Sequence, residues 1–316
     1  MVCRRTSAAF AAARAAVVGI ALALGACAPT LAPLGLQNGT PAIEADAFVT
    51  RDGLRLPLRH WDAPSPKAII VALHGMSDYS EAFDMPGPWW AEHGITTYAY
   101  DQRGFGAAPN RWLWAGDEQM RKDLDDMVDA ARAKHPGVPV FALGESMGGA
   151  VVLSSLASAP PHADGIILVA PAVWSREDMP ASYRAALWLT AHTLPWLHVS
   201  GEGRVWASNN IPMLRKLSRD PLYEHEARTD QVYGLVNLMD EARHAPEQFA
   251  DPPPILFVYG AKDQVIPAPP TEAVIKALGS RAEVHRYDNG YHMLLRDLEG
   301  EQVWKDIADW VMGHAH

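Results

Sequence analysis

The stretch FALGESMGGA, residues 141–150, holds a serine with a glycine two positions away on each side. It follows an apolar run typical of a buried strand and precedes a run rich in Ala, Val and Leu that favours a helix. On so sharp a strand-to-helix turn the serine hydroxyl stands above the sheet edge, and only glycines leave room for the crossing backbones. Ser146 is therefore the candidate nucleophile, and the turn requires Gly144 and Gly148.

A serine hydroxyl needs a general base, and the base needs an acid that orients it. On folds that carry this turn the chain order is serine, acid, histidine. Asp263 comes just after a predicted strand that ends at Gly260, and His292 comes just after the last predicted strand. Both are then expected at the same sheet edge as Ser146. Asp288 is a rival acid, but its place on the last strand leaves it less free to reach the histidine.

Acyl transfer also needs donors for a developing oxyanion. The first candidate is the backbone N–H of Met147, directly after the nucleophile. The second is the N–H of Met76, in the loop after an early strand, where a preceding glycine lets the backbone turn inward. In the same loop we expect His74 to brace the backbone and not to act as a second base. Asp101 and Arg103 are expected to pin a neighbouring polar turn by hydrogen bonds.

The elements that must position these residues alternate between strand and helix. Short apolar runs rich in Val, Ile and Tyr predict strands at 68–75, 95–101, 138–144, 165–172, 254–260 and 282–288. Helix-like stretches lie at 79–93, 117–134, 147–159, 270–279 and 299–313. An Asp-Gly pair at 52–53 predicts a hairpin before them. This alternation predicts an α/β fold, with a mainly parallel sheet covered by helices on both faces.

The alternation is interrupted between Ala172 and Pro254, where the sequence has helical signals and no clear strand. This stretch far exceeds an ordinary connection of roughly 4 to 6 residues, so we expect an inserted helical subdomain over about 173–250. Apolar residues at helical spacing line one face of it, namely Val232, Leu235, Val236 and Met239. Each one alone is most simply explained by core packing. The insertion as a whole is predicted to be a cap over a site.

The N-terminal residues differ in composition from the rest of the chain. Three arginines and an uncharged stretch at 15–26 are followed by LGAC, which ends at Cys27. The stretch is too short to span a bilayer of about 30 Å, and its positive flank is typical of a secretory signal. LGAC resembles a bacterial lipobox, which implies a signal peptide over 1–26 and a lipid on Cys27 that anchors the chain without spanning. The alternative is an ordinary cleaved signal with a coincidental cysteine.

The predicted organisation continues with a lipidated N-terminus and flexible tether over 27–44, rich in Pro, Gly and Ala, and a hydrolase domain over 45–316. The chain has two cysteines, Cys3 and Cys27. The mature domain therefore has no thiol for a disulfide, a nucleophile or a metal site. By resemblance to Gram-negative lipoproteins, the alanine after Cys27 favours an outer-membrane location facing the periplasm.

Composition narrows the possible partners. The net charge is −10, with no basic stripe, which argues against nucleic acid. The chain is 48% hydrophobic and 20% charged, as expected of a globular domain with one sizeable core. Nothing in the sequence predicts an oligomeric state.

Five motifs together carry a family resemblance: HGMSDYSEAF, YDQRGFG, GESMGGA, YGAKDQVIP and GYHMLLRD. In this order they resemble the monoacylglycerol lipase and lysophospholipase group of α/β-hydrolases, over about residues 45–315. The resemblance implies the nucleophile, acid, base and oxyanion donors already named, a cap that lines an acyl tunnel, and no metal or organic cofactor. It also implies a small lipid or ester substrate with a medium or long acyl chain. Glu145 departs from the pattern, because animal members often have histidine there.

Three other functions are compatible with parts of this pattern. Related capped hydrolases include aminopeptidases, which would need an acidic clamp for the substrate amine, with Glu202 and Asp240 as examples of acids in the cap. Dehalogenases and epoxide hydrolases are disfavoured, because their turn carries aspartate where this chain has Ser146. The third alternative is a non-catalytic surface lipoprotein. It is disfavoured, because such a protein has no need of the catalytic elements that this chain retains.

Overall fold

A computed structural model describes residues 28–200 and 205–315 of the chain. The proposed signal peptide, Cys27 and Glu202 therefore lie outside the described residues. The strands are β1 Ala42–Ile43, β2 Ala47–Val49, β3 Arg55–Trp61, β4 Ala68–Leu73, β5 Ile95–Tyr100, β6 Val140–Glu145, β7 Gly165–Val169, β8 His198–Val199, β9 Ala227–Arg228, β10 Ile255–Gly260 and β11 Ala282–Tyr287. The six predicted core strands are confirmed, each within a few residues at its ends.

The central sheet has the order β1-β2-β3-β5-β4-β6-β7-β10-β11. Strands β1, β2 and β3 pair antiparallel, and β3 pairs antiparallel with β5. From β5 to β11 every pairing is parallel. The residues of β4, β5, β6, β7 and β10 are all buried, which explains why these strands are continuous apolar runs. The predicted α/β architecture with a mainly parallel sheet is confirmed.

The α-helices are α1 Pro86–Glu92, α2 Asp117–Lys134, α3 Met147–Ser158, α4 Ala181–Thr193, α5 Ile211–Leu217, α6 Thr229–His244, α7 Ala268–Leu278 and α8 Gly300–His314. Helices α2 and α3 pack on one face of the sheet, and α1 and α8 pack on the other. The stretch predicted as one helix over 79–93 is a 3-10 helix, Ser80–Phe83, followed by α1. Pro86 explains this division, because it lacks a backbone N–H and suits the first turn of a new helix.

The predicted cap region contains α4, α5 and α6, which lie over the carboxyl ends of the sheet strands. It also contains one element that the sequence did not indicate: β8 and β9 pair antiparallel, with His198 opposite Arg228 and Val199 opposite Ala227. The expectation of no strand in the insertion is therefore wrong. Two-residue strands are too short to produce an alternating pattern, so the sequence carries no signal for them.

The segment before β1 follows the surface of the domain. The backbone N–H of Ala32 donates to the carbonyl oxygen of Trp114 at 2.8 Å, and the N–H of Thr30 donates to Oδ2 of Asp230 at 3.2 Å. Ala32 is buried. A flexible tether is expected from the composition of this segment, whereas the structure attaches it to the domain and to the first turn of α6. Within the described residues, no helix is long and apolar enough to cross a membrane.

Candidate active site

Ser146 lies at the turn between β6 and α3 with φ 53° and ψ −114°, a conformation that non-glycine residues rarely adopt. The turn leaves no room for a side chain at Gly144 or Gly148, as predicted. A Cβ on Gly144 would lie 2.3 Å from the carbonyl carbon of Gly148, and a Cβ on Gly148 would lie 2.2 Å from the backbone oxygen of Leu73. Packing of the strand against the helix therefore holds the serine in its strained conformation.

The structure brings the three predicted triad residues together. Oγ of Ser146 lies 2.9 Å from Nε2 of His292, and Nδ1 of His292 lies 2.8 Å from Oδ2 of Asp263. The other oxygen of Asp263 accepts the backbone N–H groups of Val265 and Ile266 at 2.8 and 3.0 Å. These bonds fix the carboxylate in the orientation that faces the imidazole. Asp288, the rival acid, is exposed on the surface.

The electrostatics of His292 suit a general base. Burial lowers its pKa, because a charged ring loses hydration, whereas the adjacent Asp263 carboxylate and, to a smaller extent, Glu145 raise it. The resulting pKa of His292 lies above its ordinary value. Since the Asp263 side chain is fully buried, its negative charge acts on the ring with little screening by water.

The two predicted oxyanion donors are backbone N–H groups, one at the nucleophile turn and one in the loop after β4. Within the described residues, the N–H groups of Met76 and Met147 donate no backbone hydrogen bond. Met147 is the first residue of α3, where a helix has unpaired N–H groups and a positive dipole end. The loop that carries Met76 lies close to the nucleophile, because a Cβ on Gly75 would be 3.1 Å from Cβ of Ser146.

His74 and the polar turn brace this loop, as predicted. Nδ1 of His74 lies 2.8 Å from the carbonyl oxygen of Gly75, and Nε2 accepts the N–H of Gln102 at 2.9 Å. With both nitrogens engaged and burial lowering its pKa, His74 does not serve as a second base. Asp101 accepts the backbone N–H of Ser80 at 2.9 Å.

Arg103 pins its turn through two carboxylates. Its guanidinium donates to Asp52 at 2.7 and 2.9 Å and to Asp123 at 2.6 and 2.9 Å. Asp52 belongs to the predicted hairpin turn, so Arg103 joins that turn to α2. The side chains of Arg103 and both carboxylates are buried, and none of the three lines the cavity described next.

A cavity of about 410 Å³ opens onto Ser146 and His292. Its walls come from the loop after β4, from the cap and from the loop that holds Asp263. The four apolar residues at helical spacing on α6 all line it, and they do so together with Trp174, Met179, Tyr223, Val265, Ile266 and Met293. The interpretation of the insertion as a cap over a site is therefore confirmed. Sequence reasoning missed the last six residues. The positions of Trp174, Met179 and Tyr223 depend on how the cap folds, and those of Val265, Ile266 and Met293 depend on the conformation of the loops that hold Asp263 and His292.

This arrangement can perform acyl transfer. Oγ of Ser146 attacks a carbonyl carbon while its proton moves to Nε2 of His292, and the Asp263 carboxylate stabilises the imidazolium. The carbonyl π electrons move to oxygen, where the N–H groups of Met76 and Met147 donate hydrogen bonds. When this tetrahedral intermediate collapses, the bond to the leaving group breaks and the leaving group takes the proton from Nε2. Water then repeats the attack on the acyl-enzyme and releases the acid.

One group of side chains in the described residues has metal-binding composition. Single oxygen or nitrogen atoms of Asp125, Asp129 and His162 lie within 4.8 Å of one another. The group belongs to α2 and the loop after α3, and none of its members lines the cavity above Ser146. The His162 side chain is 73% exposed.

Comparison with known proteins places the chain in a family. Residues 64–299 match the family described as "Serine aminopeptidase, S33". The chain is an α/β-hydrolase of this family. The hydrolase is 24% identical to a monoacylglycerol lipase of Mycolicibacterium smegmatis, over 85% of this chain and 96% of the relative. It is 25% identical to the rat monoglyceride lipase, over 88% and 94%, and 26% identical to a phospholipase of Bacillus subtilis, over 78% and 95%.

Solved structures share the fold of this α/β-hydrolase. A monoacylglycerol lipase from Paleococcus ferrophilus superposes with a TM-score of 0.70 at 21% identity, covering 82% of this chain and 99% of that one. A soluble variant of the Saccharomyces cerevisiae monoglyceride lipase, solved with a substrate analogue, gives a TM-score of 0.74 at 18% identity, covering 90% and 99%. These likenesses establish the architecture of sheet, flanking helices and cap.

Proposed function

We propose that this α/β-hydrolase cleaves carboxylic esters of medium or long acyl chains, with monoacylglycerols or lysophospholipids as the substrate class. The observation that carries the proposal is that Ser146 and His292 both line the 410 Å³ cavity. The walls of this cavity are mainly Ala, Val, Leu, Ile and Met side chains, which favour an acyl chain over a polar group. Its volume falls in the range of small-molecule sites, about 300–1,000 Å³.

The named relatives support an ester substrate. Three of the similar proteins are called monoacylglycerol lipase, monoglyceride lipase and phospholipase, and each aligns over more than nine-tenths of its own length. All three names describe cleavage of an ester in a lipid. The alignments also cover 85%, 88% and 78% of this chain, so the same chemistry is expected here.

Aminopeptidase activity is the second candidate, because the family description carries that name. Such an enzyme needs a carboxylate in the cavity to hold the substrate amine. Within the described residues, the cavity lining contains no Asp or Glu. Asp240, one of the acids considered, instead accepts the backbone N–H of Arg176 at 2.7 Å and pairs with its guanidinium. The apolar lining therefore favours the esterase.

The experiment is a series of esters of increasing acyl length, offered as simple esters, monoacylglycerols and lysophospholipids, with an aminoacyl-naphthylamide in parallel. We expect a maximum of kcat/KM at medium or long chains and no release of naphthylamine. A maximum on the naphthylamide would establish the peptidase instead. Labelling by a fluorophosphonate probe separates both enzymes from a non-catalytic lipoprotein, which would remain unlabelled.

We also propose that the chain is a lipoprotein, with a diacylglyceryl group on Cys27, and that it faces the periplasm from the outer membrane. Thr30 lies against Asp230 of the cap, and three residues of chain reach at most about 11 Å. A lipid on Cys27 would therefore enter the membrane beside the cap. Exposed apolar side chains of the cap support this, namely Trp188, Leu189, Leu194, Trp196 and Leu197.

Metabolic labelling with palmitate tests the anchor. We expect the label to enter the native chain, to be absent after Cys27→Ser, and to fractionate with outer membranes. Equal labelling of both proteins, or recovery of the native chain without label from the soluble periplasm, would overturn the lipoprotein proposal and leave the catalytic one untouched.

A further inference from the structure

The loop that carries the general base is fastened to the cap. The cap residues concerned are 207–210, just before α5, and we call this segment the cap joint. Its first residue, Ala207, accepts at its carbonyl oxygen the backbone N–H of Met293, over 2.8 Å. Met293 is the residue that follows the general base. The last residue of the joint, Asn210, donates from Nδ2 to the carbonyl oxygen of Arg296 at 2.9 Å.

The carboxyl of Asp297 lies at the centre of these contacts. Its Oδ1 accepts the hydroxyl of Ser208 at 2.6 Å and the backbone N–H of Asn209 at 3.3 Å. Its Oδ2 accepts the backbone N–H of Tyr291 at 2.7 Å. All three bonds are donated to the carboxyl, which is the pattern that an ionised carboxylate requires. One side chain therefore joins the cap joint to the residue directly before His292.

The backbone on both sides of His292 is held in this way, because the two residues that flank it each donate their N–H to a fixed acceptor. Ser208 is 0% exposed and Asp297 is 4% exposed, so water does not compete for the bond between them. A short bond from a hydroxyl to a carboxylate is among the stronger hydrogen bonds of proteins. A shift of the cap joint would therefore move the imidazole, whose Nε2 must stay within hydrogen-bond reach of Ser146.

We propose that Asp297 and Ser208 are positioning residues, and that through their hydrogen bond the cap holds His292 at the distance from Ser146 that proton transfer requires. This inference rests on the proposed ester hydrolysis. Asp263 orients the ring through Nδ1, whereas Asp297 fixes the backbone from which the ring extends. Neither positioning side chain is among the described residues that line the cavity, so both act on the base and not on the acyl chain.

The test compares kcat and KM of the native enzyme, Asp297→Ala, Asp297→Asn and Ser208→Ala on one ester. Asp297→Ala removes all three bonds, so we expect kcat to fall roughly 10²-fold with KM changed by less than about twofold, because the base moves and the cavity does not. Ser208→Ala keeps the bond to Tyr291, and its kcat should fall roughly three- to tenfold. Asp297→Asn keeps an oxygen for the Tyr291 N–H, and should recover about tenfold of the kcat that Asp297→Ala loses.

Ser155→Ala is the matched control. Ser155 is also 0% exposed, and its hydroxyl donates to the carbonyl oxygen of Val152 at 2.7 Å within α3. This variant loses a buried hydroxyl and its hydrogen bond far along the chain from the cap joint, so it should lower Tm as Ser208→Ala does and leave kcat unchanged. The low-field proton resonance of the His292–Asp263 hydrogen bond, measured by NMR, should broaden or disappear in Asp297→Ala and persist in Ser155→Ala.

A kcat of folded Asp297→Ala within about threefold of the native value overturns the proposal, and so does a lower kcat with an unchanged low-field resonance. If Asp297→Ala does not fold, Ser208→Ala decides, and a native kcat in that variant is the contrary result. Labelling by a fluorophosphonate probe needs the same base but no ester, so its rate should fall in the same order as kcat. A native enzyme that cleaves no ester, with labelling that slows in these variants, would defeat the proposed function and spare this inference.

Discussion

The backbone N–H of Glu224 in the cap donates a hydrogen bond of 2.8 Å to the carbonyl oxygen of Ser77. Ser77 directly follows Met76, so the cap is joined to the loop that carries a predicted oxyanion donor. Tyr79 adds a second connection, since its hydroxyl donates to Asp220 at 2.7 Å. The cap therefore both encloses the cavity above Ser146 and holds the loop of Met76 in place.

Replacing Asp263 by Asn should abolish most activity while leaving the fold intact. Oδ1 accepts the N–H groups of Val265 and Ile266, so the Asn carbonyl must stay there and its NH₂ must face the histidine. The ring then carries its proton on Nε2 and cannot accept one from Ser146. We expect kcat to fall roughly 10³- to 10⁴-fold. Steady-state kinetics with a circular dichroism melt checks this, and a loss below tenfold would contradict the assigned role.

Filling the cavity should change chain-length preference. Met239 lies on α6, is almost fully buried and lines the cavity, so Met239→Trp should shorten the space for the acyl chain. We expect kcat/KM on long-chain esters to fall tenfold or more, about 1.4 kcal/mol, with acetyl esters little affected. Arg219→Trp, at an exposed position of the cap that does not line the cavity, is the control. Equal losses at all chain lengths would show that the cavity does not hold the acyl chain.

The stability of the protein should depend on pH through Glu224. Burial raises the pKa of this side chain from its ordinary value of 4.5 to about 7. A carboxyl with a raised pKa stabilises the fold while it is protonated, and this contribution is lost as the pH rises from 4.5 through about 7. Glu224→Gln removes this pH-dependent loss of stability. The Tm of the variant minus the Tm of the native protein should therefore increase from pH 5 to pH 8.

Glu226→Gln provides the matched control for that measurement, because Glu226 is an exposed neighbour of Glu224. Its Tm difference from the native protein should not change with pH. If the Glu224→Gln difference were also flat over this range, burial would not govern the ionisation of Glu224.

The nucleophile turn should be intolerant of a single methyl group. In Gly148→Ala the new Cβ would lie 2.2 Å from the backbone oxygen of Leu73, so the strand and helix must separate. We expect a loss of stability of roughly 2 kcal/mol or more, together with loss of activity. Gly313→Ala, in α8, meets no atom within 4 Å and should leave Tm unchanged or raise it. Equal melting curves for the two variants would contradict the steric account.

The sequence predicted the triad because its signals are local. Ser146 lies between diagnostic glycines, and Asp263 and His292 each follow a recognisable apolar strand. Parallel strands bring their carboxyl ends to one edge, so three local signals are enough to assemble a site. The same reasoning predicted the two oxyanion amides, Met76 and Met147.

The contacts of the cap joint with the loop of His292 could not be predicted in this way. Ser208 and Asp297 lie 89 positions apart in the chain, and each one alone resembles an ordinary polar residue. Contact between Thr30 and Asp230 was missed for the same reason, since a Pro- and Ala-rich segment carries no signal for a distant partner. The paired strands β8 and β9 are too short for any periodic pattern.

The most direct test of the account is ester hydrolysis by Ser146→Ala beside the native enzyme, on the ester that the native enzyme cleaves best. Both proteins should melt alike and keep the cavity, because Ala removes only the hydroxyl. We predict a loss of kcat of about 10³-fold or more, and no fluorophosphonate label on the variant. Hydrolysis within tenfold of the native rate by folded Ser146→Ala would show that another group performs the chemistry.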